Sequence, residues 1–96
     1  MNDIYFISYD ITNDKLRSKI EKTLKNYGFR IQYSIFQFVV TSEQIIKVSD
    51  SLKNIVNLHN RFVTESDSII IIGGIKIEKI NYIIGEEQNL ARYLIY

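Results

Sequence analysis

The sequence predicts an α+β sandwich, with two helices covering one face of a β-sheet. Three observations carry this prediction. Runs dense in isoleucine, tyrosine, phenylalanine and valine recur at 4–11, 29–41 and 69–72, as strands require. Between them lie two segments whose apolar residues repeat at helical spacing. The chain has 96 residues and is 46% hydrophobic, which makes one domain with a thin core.

Ile4 to Ile11 is the first strand. Alternation puts Ile4, Phe6, Ser8 and Asp10 on one face and Tyr5, Ile7, Tyr9 and Ile11 on the other. Thr12-Asn13-Asp14 offers caps for a helix with a buried stripe of Leu16, Ile20, Leu24 and Tyr27, and Gly28 is expected to stop it in the C′ position. Phe29 to Thr41 reads as extended chain, with Ile31, Tyr33, Ile35 and Val39 on one face and Arg30, Gln32, Ser34, Phe36 and Phe38 on the other. No Gly or Asn marks a hairpin there, so one bent strand and two strands joined by an unadvertised turn both fit.

Ser42 is expected to cap a second helix bearing Ile45, Val48, Leu52 and Ile55, frayed out by 57–60. Ile69 to Ile72 is apolar on both faces, as a central strand would be, and Gly73-Gly74 ends it. Ile80 to Ile84 reads as a further short strand, and the tail from Leu90 to Tyr96 as a strand or other segment that packs on a partner. This order suits a ferredoxin-like βαββαβ sandwich, a single domain over 1–96.

Two helices cover only one face of such a sheet. Ile4, Phe6, Phe36, Phe38 and half of the isoleucine run are expected on the other, and that apolar surface needs a cover. A C₂ homodimer packed sheet against sheet supplies it most simply.

With no cysteine and a single histidine, His59, the chain builds neither a disulfide framework nor a thiolate or histidine metal site. Any metal must be held by oxygen. No basic leader precedes an apolar stretch and no run approaches the roughly 18 apolar residues that span a bilayer, so a cytoplasmic, membrane-free protein is expected. The net charge of +1 is unevenly spread. Residues 1–14 carry only acids, whereas 15–30 carry Lys15, Arg17, Lys19, Lys22, Lys25 and Arg30 against Glu21 alone. A solvated helix face and a phosphate-binding face both produce this pattern.

Asp10 is the sharpest chemical feature, a carboxylate inside an apolar strand. One reading makes it a turn or capping residue. The other follows from its face: in a dimer built on that face, two copies of Asp10 converge near the axis, together with Ser34 and Phe36. Two carboxylates about 4 Å apart repel by some 4 kcal/mol at an effective dielectric of 20, so they separate, share a proton or bind a cation. Mg²⁺ or Mn²⁺ suits such a site because it accepts one or two carboxylates and keeps positions open for water and phosphate. Arg17, Lys19 and Arg30 are the candidate phosphate ligands, with Arg favoured by its fork geometry. Tyr9, Phe36 and Ser34 are candidate supporting residues, each equally readable as packing or backbone-pairing groups.

Tyr5-Phe6-Ile7-Ser8-Tyr9-Asp10-Ile11, then Gly28 to Phe36, then Asp67-Ser68-Ile69 together resemble the CRISPR-associated protein 2 family, over essentially the whole chain. That resemblance implies a ferredoxin-like homodimer with a divalent metal at Asp10, and roles in activity or architecture for Tyr9, Arg17, Arg30, Ser34 and Phe36. Lys19 stands where the family often has Arg, which keeps the charge and loses the bidentate fork. Members of that family act as metal-dependent phosphodiesterases on RNA or DNA, or as a bridge between copies of the CRISPR-associated integrase during spacer acquisition. The expected function is therefore adaptation, with integrase and nucleic acid as partners and a metal-dependent endonuclease activity leaning on Asp10. A toxin-like ribonuclease of the same fold and a ligand-binding regulator are the alternatives.

Overall fold

The computed structural model describes residues 1–81, 83 and 84. Strand β1 (Asp3–Asp10) gives way to helix α1 (Asp14–Lys25), which Asn13 caps by accepting from the Leu16 amide at 3.0 Å. That bond satisfies one of the donors a helix start leaves open. Leu16, Ile20 and Leu24 form the buried stripe as expected, but the helix closes at Asn26 and Tyr27 is exposed. Gly28 does not adopt the left-handed conformation of a C′ glycine. Glycine is needed there because a Cβ would stand 2.4 Å from the Gln37 carbonyl oxygen and 2.5 Å from the Phe38 ring.

Residues 29–41 form a hairpin. β2 (Phe29–Gln32) and β3 (Ile35–Val40) pair antiparallel around Tyr33-Ser34, with an irregularity between Arg30 and Gln32. No residue of this turn has positive φ, so it needs no Gly or Asn. Helix α2 (Ser42–Leu58) is capped by Thr41, one residue earlier than expected, through a reciprocal box with Gln44. Ile45, Val48 and Leu52 are its buried stripe.

After a 3₁₀ turn (Asn60–Phe62), β4 (Ser68–Ile75) completes a sheet of order β2-β3-β1-β4, with β1 antiparallel to both neighbours. This is the ferredoxin-like topology. Among the described residues the isoleucine run is thus an edge strand, not a central one, and Gly73-Gly74 lie within it. Gly73 has φ +146°, and a Cβ there would meet the Tyr5 ring at 2.6 Å. The expected strand at 80–84 is absent from the described residues. A 3₁₀ turn (Ile77–Lys79) leads instead to Ile80, which packs on Ile4 and Val39. The tail from Leu90 to Tyr96 lies outside the described residues. No helix among the described residues is long and apolar enough to cross a membrane.

Register corrects the assignment of faces. Ile7 pairs with Phe36 and Tyr5 with Phe38, so both phenylalanines sit beneath the helices, fully buried with Tyr9, Leu16, Ile20 and Val48. Burying a side chain of that size is worth about 1.5–3 kcal/mol. Alternation sorts β3 into two sets without saying which set faces the helices, and Phe36 and Phe38 lie on the face opposite to the one expected. The open face is itself divided. Ile4, Gln37 and Val39 are buried, whereas Ile70 and Ile72 on the β4 side remain 52% and 49% exposed.

Candidate functional site

Side chains of candidate function gather where β1 ends, and the sheet separates them into two groups. On the open face, Asp10 is exposed beside Ser8 and directly across from Ser68 of β4, because strand alternation turns Tyr9 inward and Asp10 outward. Asp10 makes no hydrogen bond or ion pair among the described residues. No cluster of three or more His, Cys, Asp or Glu side chains is placed among the described residues to hold a metal. The donors present, one carboxylate and two hydroxyl-bearing neighbours, are oxygen ligands that fit a hard divalent cation as part of a shell.

On the helix side, Tyr9, Glu21, Arg30 and Phe36 form one cluster. The Tyr9 hydroxyl donates to Glu21 Oε2 at 2.5 Å, and Arg30 Nη2 reaches the same oxygen at 3.2 Å. The Arg30 guanidinium lies over the Phe36 ring, 5.3 Å from its centroid, and the Tyr9 and Phe36 rings are 6.2 Å apart. The planar guanidinium is thereby held on an aromatic floor with one edge on a carboxylate. Burial, followed by the Glu21 hydrogen bond and charge, pushes the Tyr9 phenol above the ordinary tyrosine range.

Arg17 stands nearby on α1. Its Nη1 donates to the Ile11 carbonyl at 3.0 Å and its Nη2 pairs with Asp14, which holds the guanidinium above its ordinary value. Lys19 is exposed and unpaired among the described residues. Ser34 is half-buried in the hairpin turn, and its carbonyl accepts the Tyr9 amide at 3.1 Å. The structure thus joins Tyr9, Arg30 and Phe36, leaves Arg17 at their border, and places Asp10 across the sheet. Phe36 does not share the face of Asp10.

Two residues escape a reading of the sequence alone. Glu21 anchors the cluster, and its signal is its being the lone acid among the six cations of 15–30. Asp67 ties the strand-to-helix loop to the loop before β4. Its Oδ1 accepts from the Thr12 amide and hydroxyl, both at 3.0 Å, and its Oδ2 from the Thr64 amide at 2.9 Å. Those bonds, Thr64 first, hold its carboxyl down at about 2. A groove between α2 and β4, lined by Leu52, Val56, Ile69 and Ile71, opens on the helix side, away from Asp10.

Residues 3–80 match the family model of CRISPR associated protein Cas2. The chain is 39% identical over 51 residues to the CRISPR-associated endoribonuclease Cas2 3 of Chloroflexus aurantiacus, a stretch that is 53% of this chain and 55% of that protein. It therefore spans about half the length of the curated relatives it matches. Among solved structures, a crystal structure of Cas2 superposes with TM-score 0.67 at 24% identity, covering 90% of each chain. A chain of a partial Cas6-RT-Cas1–Cas2 complex superposes with TM-score 0.70 at 24% identity, covering 93% of each. At that identity the two structures speak for the fold alone.

Proposed function

Because this chain belongs to the CRISPR associated protein Cas2 family, we propose that it serves spacer acquisition as a homodimer that binds nucleic acid and bridges the CRISPR-associated integrase, with Asp10 a ligand of Mg²⁺ or Mn²⁺ for phosphodiester hydrolysis. The observation that carries this reading is the placement of Asp10. It is an exposed carboxylate on a sheet face whose neighbouring isoleucines, Ile70 and Ile72, remain about half exposed among the described residues. A second copy on that face buries those side chains and adds a second carboxylate. The naming of relatives as endoribonucleases supports the activity, and membership of the family supports the integrase as partner, with a fold that is also found in a chain of a Cas1–Cas2 complex.

When bound, the metal supplies charge neutralisation at the phosphate and a more acidic water. The chain's own groups hold and orient the strand. Arg30, fixed by Glu21 and Phe36, presents its free edge to a phosphate. Arg17 and Lys19 add positive charge from α1.

The test incubates purified protein with single-stranded RNA and duplex DNA over a Mg²⁺ and Mn²⁺ series. Asp10→Ala is expected to abolish cleavage and to sediment as wild type does. Absence of cleavage by the wild-type protein overturns the catalytic part. Sedimentation as a monomer at micromolar concentration overturns the shared site.

A further inference from the structure

Arg17 and Arg30 each face a carboxylate, whereas Arg61 faces none among the described residues. Arg61 stands in the 3₁₀ turn after α2, exposed, with its guanidinium carbon 4.8 Å from the centroid of the Phe62 ring. Phe62 is a firm base because it packs against the main core. The His59 ring stacks on it as well, at 6.4 Å and 24°. Arg61 makes no hydrogen bond or ion pair among the described residues, and Asp67, the acid six residues on, accepts instead from Thr12 and Thr64. A guanidinium laid on an aromatic ring loses less rotamer freedom on binding and keeps its N–H edge for an anion.

Topology places this group at the end of the sandwich that matters. The loop carrying Arg61 runs into β4, whose first residue Ser68 pairs with Asp10, and Asp67 fastens it to Thr12, just before the first turn of α1 with Arg17. Salt bridges weaken Arg17 and Arg30 as anion receptors, since Asp14 and Glu21 must be displaced or shared. Among the described residues Arg61 carries no such competitor.

We propose that Arg61, seated on Phe62, is a phosphodiester contact of the bound nucleic acid, extending the binding surface from α1 across the β1 end to the loop after α2. This rests on the nucleic-acid reading above. The contact is to backbone phosphate, so it is indifferent to base sequence.

The test is anisotropy titration of a labelled single-stranded RNA and a duplex DNA over a range of NaCl concentrations, for wild type, Arg61→Ala, Arg61→Lys and Arg30→Ala. Arg61→Ala is expected to make the slope of log K against log salt shallower by about 0.7 per engaged copy on single strands and about 0.9 on duplex. Arg61→Lys should restore the slope, a result that a purely structural role would not give. An unchanged slope in Arg61→Ala, with a shallower one in Arg30→Ala, overturns this inference alone. Absence of salt-dependent binding by the wild-type protein overturns it together with the nucleic-acid reading.

Discussion

Tyr9 and Glu21, on β1 and α1, share a hydrogen bond of 2.5 Å, and the same carboxylate oxygen receives Arg30 from β2. One acid therefore fastens three elements at the border of the core, beside the positive charges that α1 exposes. Its position one turn after Arg17 gives it reach to both the strand tyrosine and the edge-strand arginine.

Tyr9→Phe removes the hydroxyl and leaves Glu21 with Arg30 only. Hydrogen bonds to charged partners contribute about 1.5–3 kcal/mol, and a loss of that order is expected in urea unfolding at neutral pH. The pH dependence has a definite sign. The folded phenol titrates above its unfolded value near 10, so its contribution is complete below about pH 10 and fades as pH rises beyond it. Tyr9→Phe should flatten that alkaline decline. An equally steep decline in the variant would assign it to other groups.

Asp67→Asn tests the loop fastening at the other end of the scale. The native carboxyl titrates at about 2, below its unfolded value of 3.8, so its contribution is present above pH 4 and is lost as pH falls toward 2. The variant is expected to melt lower at neutral pH and to lose less stability between pH 4 and 2. Thermal melts across that window provide the check.

What the sequence makes legible is whatever depends on local spacing. Leu16, Ile20 and Leu24, like Ile45, Val48 and Leu52, are buried as their helical period requires. What it hides depends on long-range pairing. Nothing local distinguishes the two faces of β3, and only the register Ile7–Phe36 and Tyr5–Phe38 shows that the phenylalanines lie under the helices. The isoleucine run misleads for a related reason, since a half-exposed edge strand and a central strand can have the same composition. At the site, Asp10 is visible because a carboxylate in an apolar strand is conspicuous. Glu21 is not, because its partners are twelve residues before it and nine after.

Gly28→Ala probes a different constraint. With a Cβ at 2.4 Å from the Gln37 carbonyl and 2.5 Å from Phe38, β2 cannot keep its distance from β3. The expected cost is about 3 kcal/mol, at the upper end of ordinary overpacking. A melt within a degree or two of wild type would show that the hairpin can shift to admit the methyl group.

Lys19 and Arg30 carry the same charge in different settings, and their variants should separate binding from architecture. Lys19 is exposed and unpaired among the described residues, so Lys19→Ala should leave stability within about 0.5 kcal/mol of wild type. On duplex DNA it should reduce the salt slope by about 0.9 for each phosphate no longer neutralised. Arg30→Ala should lower the slope similarly and also destabilise, because it removes the ion-pair partner of Glu21 and the cation over Phe36. A dimer using Arg17, Lys19 and Arg30 from both copies would neutralise about six phosphates, for a slope of about −5, to which each engaged copy of Arg61 would add about −0.9. Arg30→Lys then isolates the fork: the slope should persist while affinity falls, since an ammonium keeps the charge but neither lies flat on the ring nor spans a carboxylate and a phosphate together. Wild-type affinity in Arg30→Lys would mean that charge alone matters at this position.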